Sequence, residues 1–180
     1  MASMGFSHGN TFSGQSVTVS LGIDPGLNRT GYAVIVRTSR GMKLEEGGVL
    51  RSTKGLSLAE RVTELGSELR EVIKEFRPQS MAVEQLFSHG DHVKTAILMA
   101  HARGALLFAA AEAGVPVINY TPTQVKRLLT GSGRATKEQM QLAITRELGL
   151  SAVPEPNDVA DACAIALCQL HSRRMEVAGV

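Results

Sequence analysis

Four carboxylates stand where a chain could assemble metal chemistry: Asp24, Glu84, Asp158 and Asp161. Asp24 ends the stretch V-T-V-S-L-G-I-D, in which Val17, Val19, Leu21 and Ile23 alternate with Thr18, Ser20 and Gly22, the period of a strand. Pro25-Gly26 follows and ends strand pairing. The spacing therefore predicts a rigid strand that delivers a carboxylate at its exit. Met81-Ala82-Val83-Glu84 repeats the placement. Asp158 and Asp161 share a face in the first turn of a predicted last helix. Singly, each has an ordinary alternative. Asp24 caps a turn, Glu84 is a surface residue at a strand end, and Asp158 is a helix cap. Asp161 is flanked by Ala160 and Ala162 near an apolar face, where a carboxylate needs a partner.

Elements must bring these groups together. After the first strand, Thr30 to Arg37 and Lys43 to Arg51 read as two further strands joined by a short turn, an antiparallel meander. Ser57 and Glu60 form a capping box. The helix it opens repeats Leu58, Val62, Leu65, Leu69, Val72, Ile73 and Phe76 at helical spacing and stops at Arg77-Pro78. The Met81–Glu84 strand then closes a β-α-β crossover parallel to the first strand, so Glu84 and Asp24 emerge at one sheet edge. Two carboxylates that close repel, and one protonates unless a cation neutralises them. A loop over Ser88 to Lys94 leads to an Ala-rich helix from Val93 to Ala113. Ile97, Leu98, Leu106, Leu107 and Phe108 are its packing residues and Gly114 ends it. Val115 to Asn119 is a fifth strand. Pro122 opens a helix through Leu129, Gly131-Ser132-Gly133 breaks it, and Thr136 with Gln139 caps a helix to Leu148. The last helix starts at Asn157 or Asp158 and runs to Arg174. The fold class is α/β, a mixed five-stranded sheet with three antiparallel strands first, flanked by helices. Residues 1–16, rich in Ser and Gly, read as a disordered extension, residues 17–174 as one domain, and residues 175–180 as a flexible tail.

A chain of 180 residues can bury a real core, and its 43% apolar content argues against disorder. No apolar run reads as long enough to span a bilayer, and no signal segment is apparent, so no membrane role is expected. Cys163 and Cys168 fall on different sides of a helix, which argues against a disulfide or a zinc site and for a reduced, cytoplasmic protein. A net charge of +2 is too small to imply nucleic acid by itself. Locally, however, Lys126, Arg127, Arg134, Lys137 and Arg146 stand against one acid, Glu138. Such a basic face is a candidate phosphate footprint, with a solvated helix surface as the competing reading. Oxygen-only ligands suit Mg²⁺ or Mn²⁺. Two such ions about 3.5–4 Å apart activate water and stabilise the leaving oxygen in phosphodiester cleavage.

L-G-I-D-P-G-L-N-R-T-G, A-V-E-Q-L-F, Y-T-P-T-Q-V-K, T-G-S-G-R-A-T-K-E-Q-M and N-D-V-A-D-A-C-A-I-A-L occur in this order. From Val17 to Arg173 the chain resembles the RuvC family of bacterial Holliday-junction resolvases. The resemblance implies an RNase H-like fold, a homodimer, and an endonuclease that uses two Mg²⁺ ions per active site, with Mn²⁺ as a substitute. It further implies symmetric nicks in two strands of like polarity at a four-way DNA junction, in recombination and repair, beside the RuvA and RuvB branch-migration proteins. It places the catalytic, metal-holding acids on Asp24, Glu84, Asp158 and Asp161. Lys126 and Lys137 fall on family lysines near the cleaved strand, and Phe87 on an aromatic that approaches unpaired bases at the crossover, where a ring can stack. Arg134, in the same basic stretch, is a further candidate DNA contact. Arg103-Gly104 falls on the family's A-R-G, with no role assigned. One departure stands out: His92 occupies the region where the family usually has an Asn, and S-H-G-D-H looks slightly longer. This bears on the loop's DNA contacts; His89 and His92 read more readily as solvated residues than as ligands. Three rivals remain. An actin-like ATPase or sugar kinase needs a second half that this length does not supply. The others are a junction-binding protein without catalysis and an RNase H-like nuclease acting on a flap or an RNA–DNA hybrid.

Overall fold

The computed structural model describes residues 17–86 and 93–178. The readings for residues 1–16, for Phe87 and for His89 and His92 lie outside the described residues. Five strands and five helices follow in the order β1 (Thr18–Asp24), β2 (Arg29–Thr38), β3 (Gly41–Arg51), α1 (Leu58–Phe76), β4 (Ser80–Glu84), α2 (Val93–Glu112), β5 (Val117–Tyr120), α3 (Pro122–Thr130), α4 (Lys137–Glu147) and α5 (Asn157–Ala178). The sheet runs β3-β2-β1-β4-β5. The first three strands pair antiparallel, and β4 and β5 are added parallel to β1 through the α1 and α2 crossovers. This is the mixed sheet that the sequence predicts.

Strand alternation splits the core into two layers. Leu21 and Ile23 of β1 and Met81 and Val83 of β4 pack with Leu65, Leu69, Ala102 and Leu106 of α1 and α2. On the opposite face, Ala33, Ile35 and Ala82 pack with α5, through Ala162, Ile165, Ala166 and Leu170. A β-carbon at Gly22 would lie 2.1 Å from the Ala162 carbonyl oxygen, and one at Gly31 would lie 2.0 Å from the Asp158 carbonyl oxygen. These two glycines let α5 settle directly on β1 and β2, which brings its N-terminal turn to the sheet edge.

Helix ends follow local chemistry. Both predicted capping boxes form, Ser57 with Glu60 and Thr136 with Gln139, and an unpredicted third joins Thr121 to Gln124 ahead of Pro122. Arg77 ends α1 in the left-handed region, at φ 46°. The break is therefore a C-cap turn at Arg77 as much as an effect of Pro78. Helix α5 continues past Arg174 to Ala178.

Helix α2 departs from the reading in two ways. Ile97 and Phe108, taken as packing residues, are 53% and 61% exposed. Ala102, Leu106, Ala109 and Ala110 do the burying instead. The helix is also long and apolar enough to cross a membrane by length and composition, with a mean hydropathy of 1.3, contrary to the expectation that no stretch would be. Its Ala and Leu content outweighs the interspersed Lys94, His101, Arg103 and Glu112, so both faces are apolar and only one meets the core.

Candidate active site

In the parallel β1–β4 register Ile23 pairs with Val83, so Asp24 and Glu84 are the next residues on neighbouring strands. Asp24 pairs across β2 with Gly31, over which the Asp158 backbone sits. One sheet edge therefore gathers the two strand-end acids and the first turn of α5. The turn that presents Asp24 is closed by Thr30, which is fully buried: its Oγ1 donates to the Gly26 carbonyl at 2.8 Å and accepts from the Gly26 N–H at 3.2 Å. Behind it, the Arg61 guanidinium donates to Asn28 Oδ1 at 2.5 Å and to Ser52 Oγ at 2.9 Å, tying the same turn to α1 and the end of β3.

The electrostatics show that the acids share one field. Asp24 is pushed from 3.8 up to about 7, first by burial and then by Asp161, Glu84 and Asp158. Glu84 is raised by burial and by Asp161, and Lys126 opposes the rise. Asp161 is an exposed residue rather than one on the buried face, which corrects the sequence reading: its neighbours Ala160 and Ala162 turn inward and leave it outward. Its carboxyl is still raised, chiefly by lost solvation; Lys137 opposes the rise and Asp158 adds to it. Asp158 is not spent on capping. The helix begins at Asn157, and Asp158 Oδ2 accepts from Arg29 Nη2 at 2.5 Å.

A cleft of about 240 Å³ opens between β4, α3, α4 and α5, with Glu84, Asp161, Lys126 and Lys137 on its walls. Both predicted lysines thus line one cleft with two of the predicted acids. Arg134 does not join them. It is exposed in the turn between α3 and α4, and its backbone N–H donates to Ser132 Oγ at 3.2 Å.

Among the described residues, no three His, Cys, Asp or Glu side chains stand as a finished metal cage. The donor set nevertheless fits a hard divalent cation. Asp24 is a half-buried carboxylate with no hydrogen-bond or ion-pair partner among the described residues, its pKa pushed up to about 7 by burial and then by the acids around it. A cation is what removes that penalty.

Sequence reasoning singled out Arg103 without a role, and the structure supplies one. From α2 its Nε donates to the Glu84 carbonyl at 3.3 Å, and its Nη2 donates to Asn119 Oδ1 on β5. One planar fork thus pins the exits of two strands, which a lysine cannot do. Arg103→Ala is expected to cut the activity of the site about 10–100-fold, the usual cost of losing support behind a ligand. Arg103→Lys should not restore it. The check is the rate together with the divalent-ion concentration for half-maximal rate, which should rise. An unchanged half-maximum would deny Arg103 this part. Arg29, Thr30 and Arg61 were missed altogether. Gly22 and Gly31, glycines inside strands, were the signal that a helix comes close.

Comparison with known proteins places the chain. The sequence model for "Crossover junction endodeoxyribonuclease RuvC" matches residues 20–169. A relative of that name from Rhodopirellula baltica is 55% identical over 153 residues, 85% of this chain and 86% of its own. The chain belongs to the RuvC family. A second RuvC, from a Roseiflexus species, is 42% identical over 89% of this chain and 95% of its own. Thermus thermophilus RuvC, solved in complex with a Holliday junction substrate, superposes with a TM-score of 0.82 at 39% identity, over 88% of this chain and 96% of that one. The yeast mitochondrial Holliday junction resolvase shares the fold, with a TM-score of 0.64 at 14% identity. The fold is the RNase H-like one that the RuvC resemblance implied.

Proposed function

We infer that this chain is a structure-selective endodeoxyribonuclease that resolves four-way DNA junctions by paired nicks, with Mg²⁺ as its physiological ion and Mn²⁺ as a substitute. The observation that carries this is the meeting of Asp24, Glu84, Asp158 and Asp161 at one sheet edge beside Lys126 and Lys137, in a member of the RuvC family.

Asp24, Glu84, Asp161 and Asp158 are the residues that would hold the divalent cations. Bound divalent cations would supply a water of lowered pKa and offset the charge of the phosphate under attack. The chain's own residues do the rest. On cation binding Asp24 would release to solvent the proton that burial and its neighbours hold on it. Lys126 and Lys137, on the cleft walls, draw the phosphodiester backbone toward the acids by charge. Rigid strand ends keep Asp24 and Glu84 in place while the first turn of α5 brings the remaining pair. Phe87 is assigned to base stacking at the crossover and Arg134 to a more distant backbone contact, both on the resemblance and the local charge.

Two symmetric cuts call for two sites, hence a homodimer. The outward face of α2 supports one: Val93, Ile97 and Phe108 are all more than half exposed and recur on one stripe of the helix. The enzyme would act in the cytoplasm, beside the RuvA and RuvB proteins. A panel of mobile four-way junction, duplex, flap and RNA–DNA hybrid, each with Mg²⁺, tests the assignment. The junction should be nicked far faster than the others, at symmetric positions. Preferential cutting of the hybrid or flap would favour a different RNase H-like nuclease.

A further inference from the structure

We propose that Arg29 is a built-in counter-ion of the acid cluster, which competes with a divalent cation for Asp158. This rests on the metal-dependent reading above. Arg29 opens β2 two residues before Gly31, so the two share one side of the strand. That is the side on which the first turn of α5 lies, with the Asp158 backbone over Gly31. From there the guanidinium donates through Nη2 to Asp158 Oδ2 at 2.5 Å. The partners are 129 residues apart in the chain, so the contact is made by tertiary packing and not by local sequence. Among the described residues, none of the other three acids has an ion pair.

The Arg29 charge sits against the Asp158 carboxylate, so a cation that approaches Asp158 meets a like charge and competes with the guanidinium for the carboxylate. The pair is open to water, with side chains 42% and 28% exposed, so breaking it is cheap. Arg29 then tunes the ion concentration at which the site fills, without blocking it. The protein free of metal keeps Asp158 neutralised and held on the sheet side of the cluster, ready to be handed over.

The test is Mn²⁺ binding to the full chain without DNA, followed by the electron paramagnetic resonance signal of the free ion. Arg29→Met is expected to lower the half-saturating Mn²⁺ concentration about two- to fivefold, the reach of a half-exposed ion pair. Arg29→Lys should fall between wild type and Arg29→Met. Arg51, which pairs with Arg29 across β2–β3 and is exposed, provides the charge control. Arg51→Met removes the same charge from the neighbouring strand and should give a smaller gain. Unchanged or weaker Mn²⁺ binding in Arg29→Met overturns the proposal, and so does an equal gain in Arg51→Met. Asp24→Asn, measured alongside, keeps the two claims apart. If it leaves Mn²⁺ binding intact, the metal reading fails and the counter-ion falls with it. If it weakens binding while Arg29→Met gives no gain, only the counter-ion is lost.

Discussion

Replacing Asp24 with Asn is expected to abolish junction nicking, by about a thousandfold or more, while junction binding persists. The size follows from removing the one carboxylate on which the other three acids all act. On the metal-dependent reading proposed above, losing this carboxylate forfeits several kcal/mol of charge stabilisation in the transition state. Binding is expected to survive because the substitution takes no cationic group away from the phosphate backbone. A single-turnover nicking assay with a gel-shift control reads both. Wild-type nicking by Asp24→Asn would remove Asp24 from the mechanism.

The same variant carries a stability signature of opposite sign. In the unfolded chain Asp24 titrates near its ordinary 3.8, and in the folded protein near 7. Between those values the folded state holds a proton that the unfolded state has released. Stability of the metal-free protein therefore falls as pH rises through this window, and above it the penalty is complete. Asn carries no such penalty. At pH 8 without metal, Asp24→Asn should be more stable than wild type, by up to a few kcal/mol. The advantage should vanish toward pH 4. Divalent ions should raise the melting temperature of wild type at pH 8 and do little for the variant.

Gly22→Ala is expected to lower the melting temperature by about 5–10 °C, the range for overpacking by one methyl in a domain of this size. The new β-carbon meets the Ala162 carbonyl oxygen at 2.1 Å and the Ala166 nitrogen at 2.7 Å. Both are backbone atoms of α5, so the helix itself must lift. Gly31→Ala makes the same intrusion at the site end, 2.0 Å from the Asp158 carbonyl oxygen. There the lifted segment carries Asp158 and Asp161, so nicking should fall by more than the loss of stability explains. Thermal melts of both variants beside their nicking rates separate the two effects. A Gly22→Ala protein as stable as wild type would contradict the close seating of α5.

What could be read from the sequence was whatever depends on neighbours in the chain. Period-2 alternation ending in Asp24 and in Glu84 gave the strand exits, and the Ser57–Glu60 and Thr136–Gln139 boxes gave two helix starts. The outward side of Asp161 is not legible in the sequence, because its flanking alanines do not say which face of a helix meets the sheet. The exposure of Ile97 and Phe108 is hidden in the sequence for the same reason. Apolarity says that a residue gains from being covered, not what covers it. The Arg29–Asp158 pair and the Arg103 fork lay beyond reach, since each joins elements that only the finished fold makes neighbours.

Anomalous diffraction from crystals soaked in Mn²⁺ tests the cation cage most directly. Mn²⁺ peaks should appear within coordination distance of the Asp24 carboxylate, with Glu84 and Asp161 oxygens around them and Asp158 turned away from Arg29. Peaks that avoid Asp24, or a fully soaked crystal in which these carboxylates gather no ion, would contradict it.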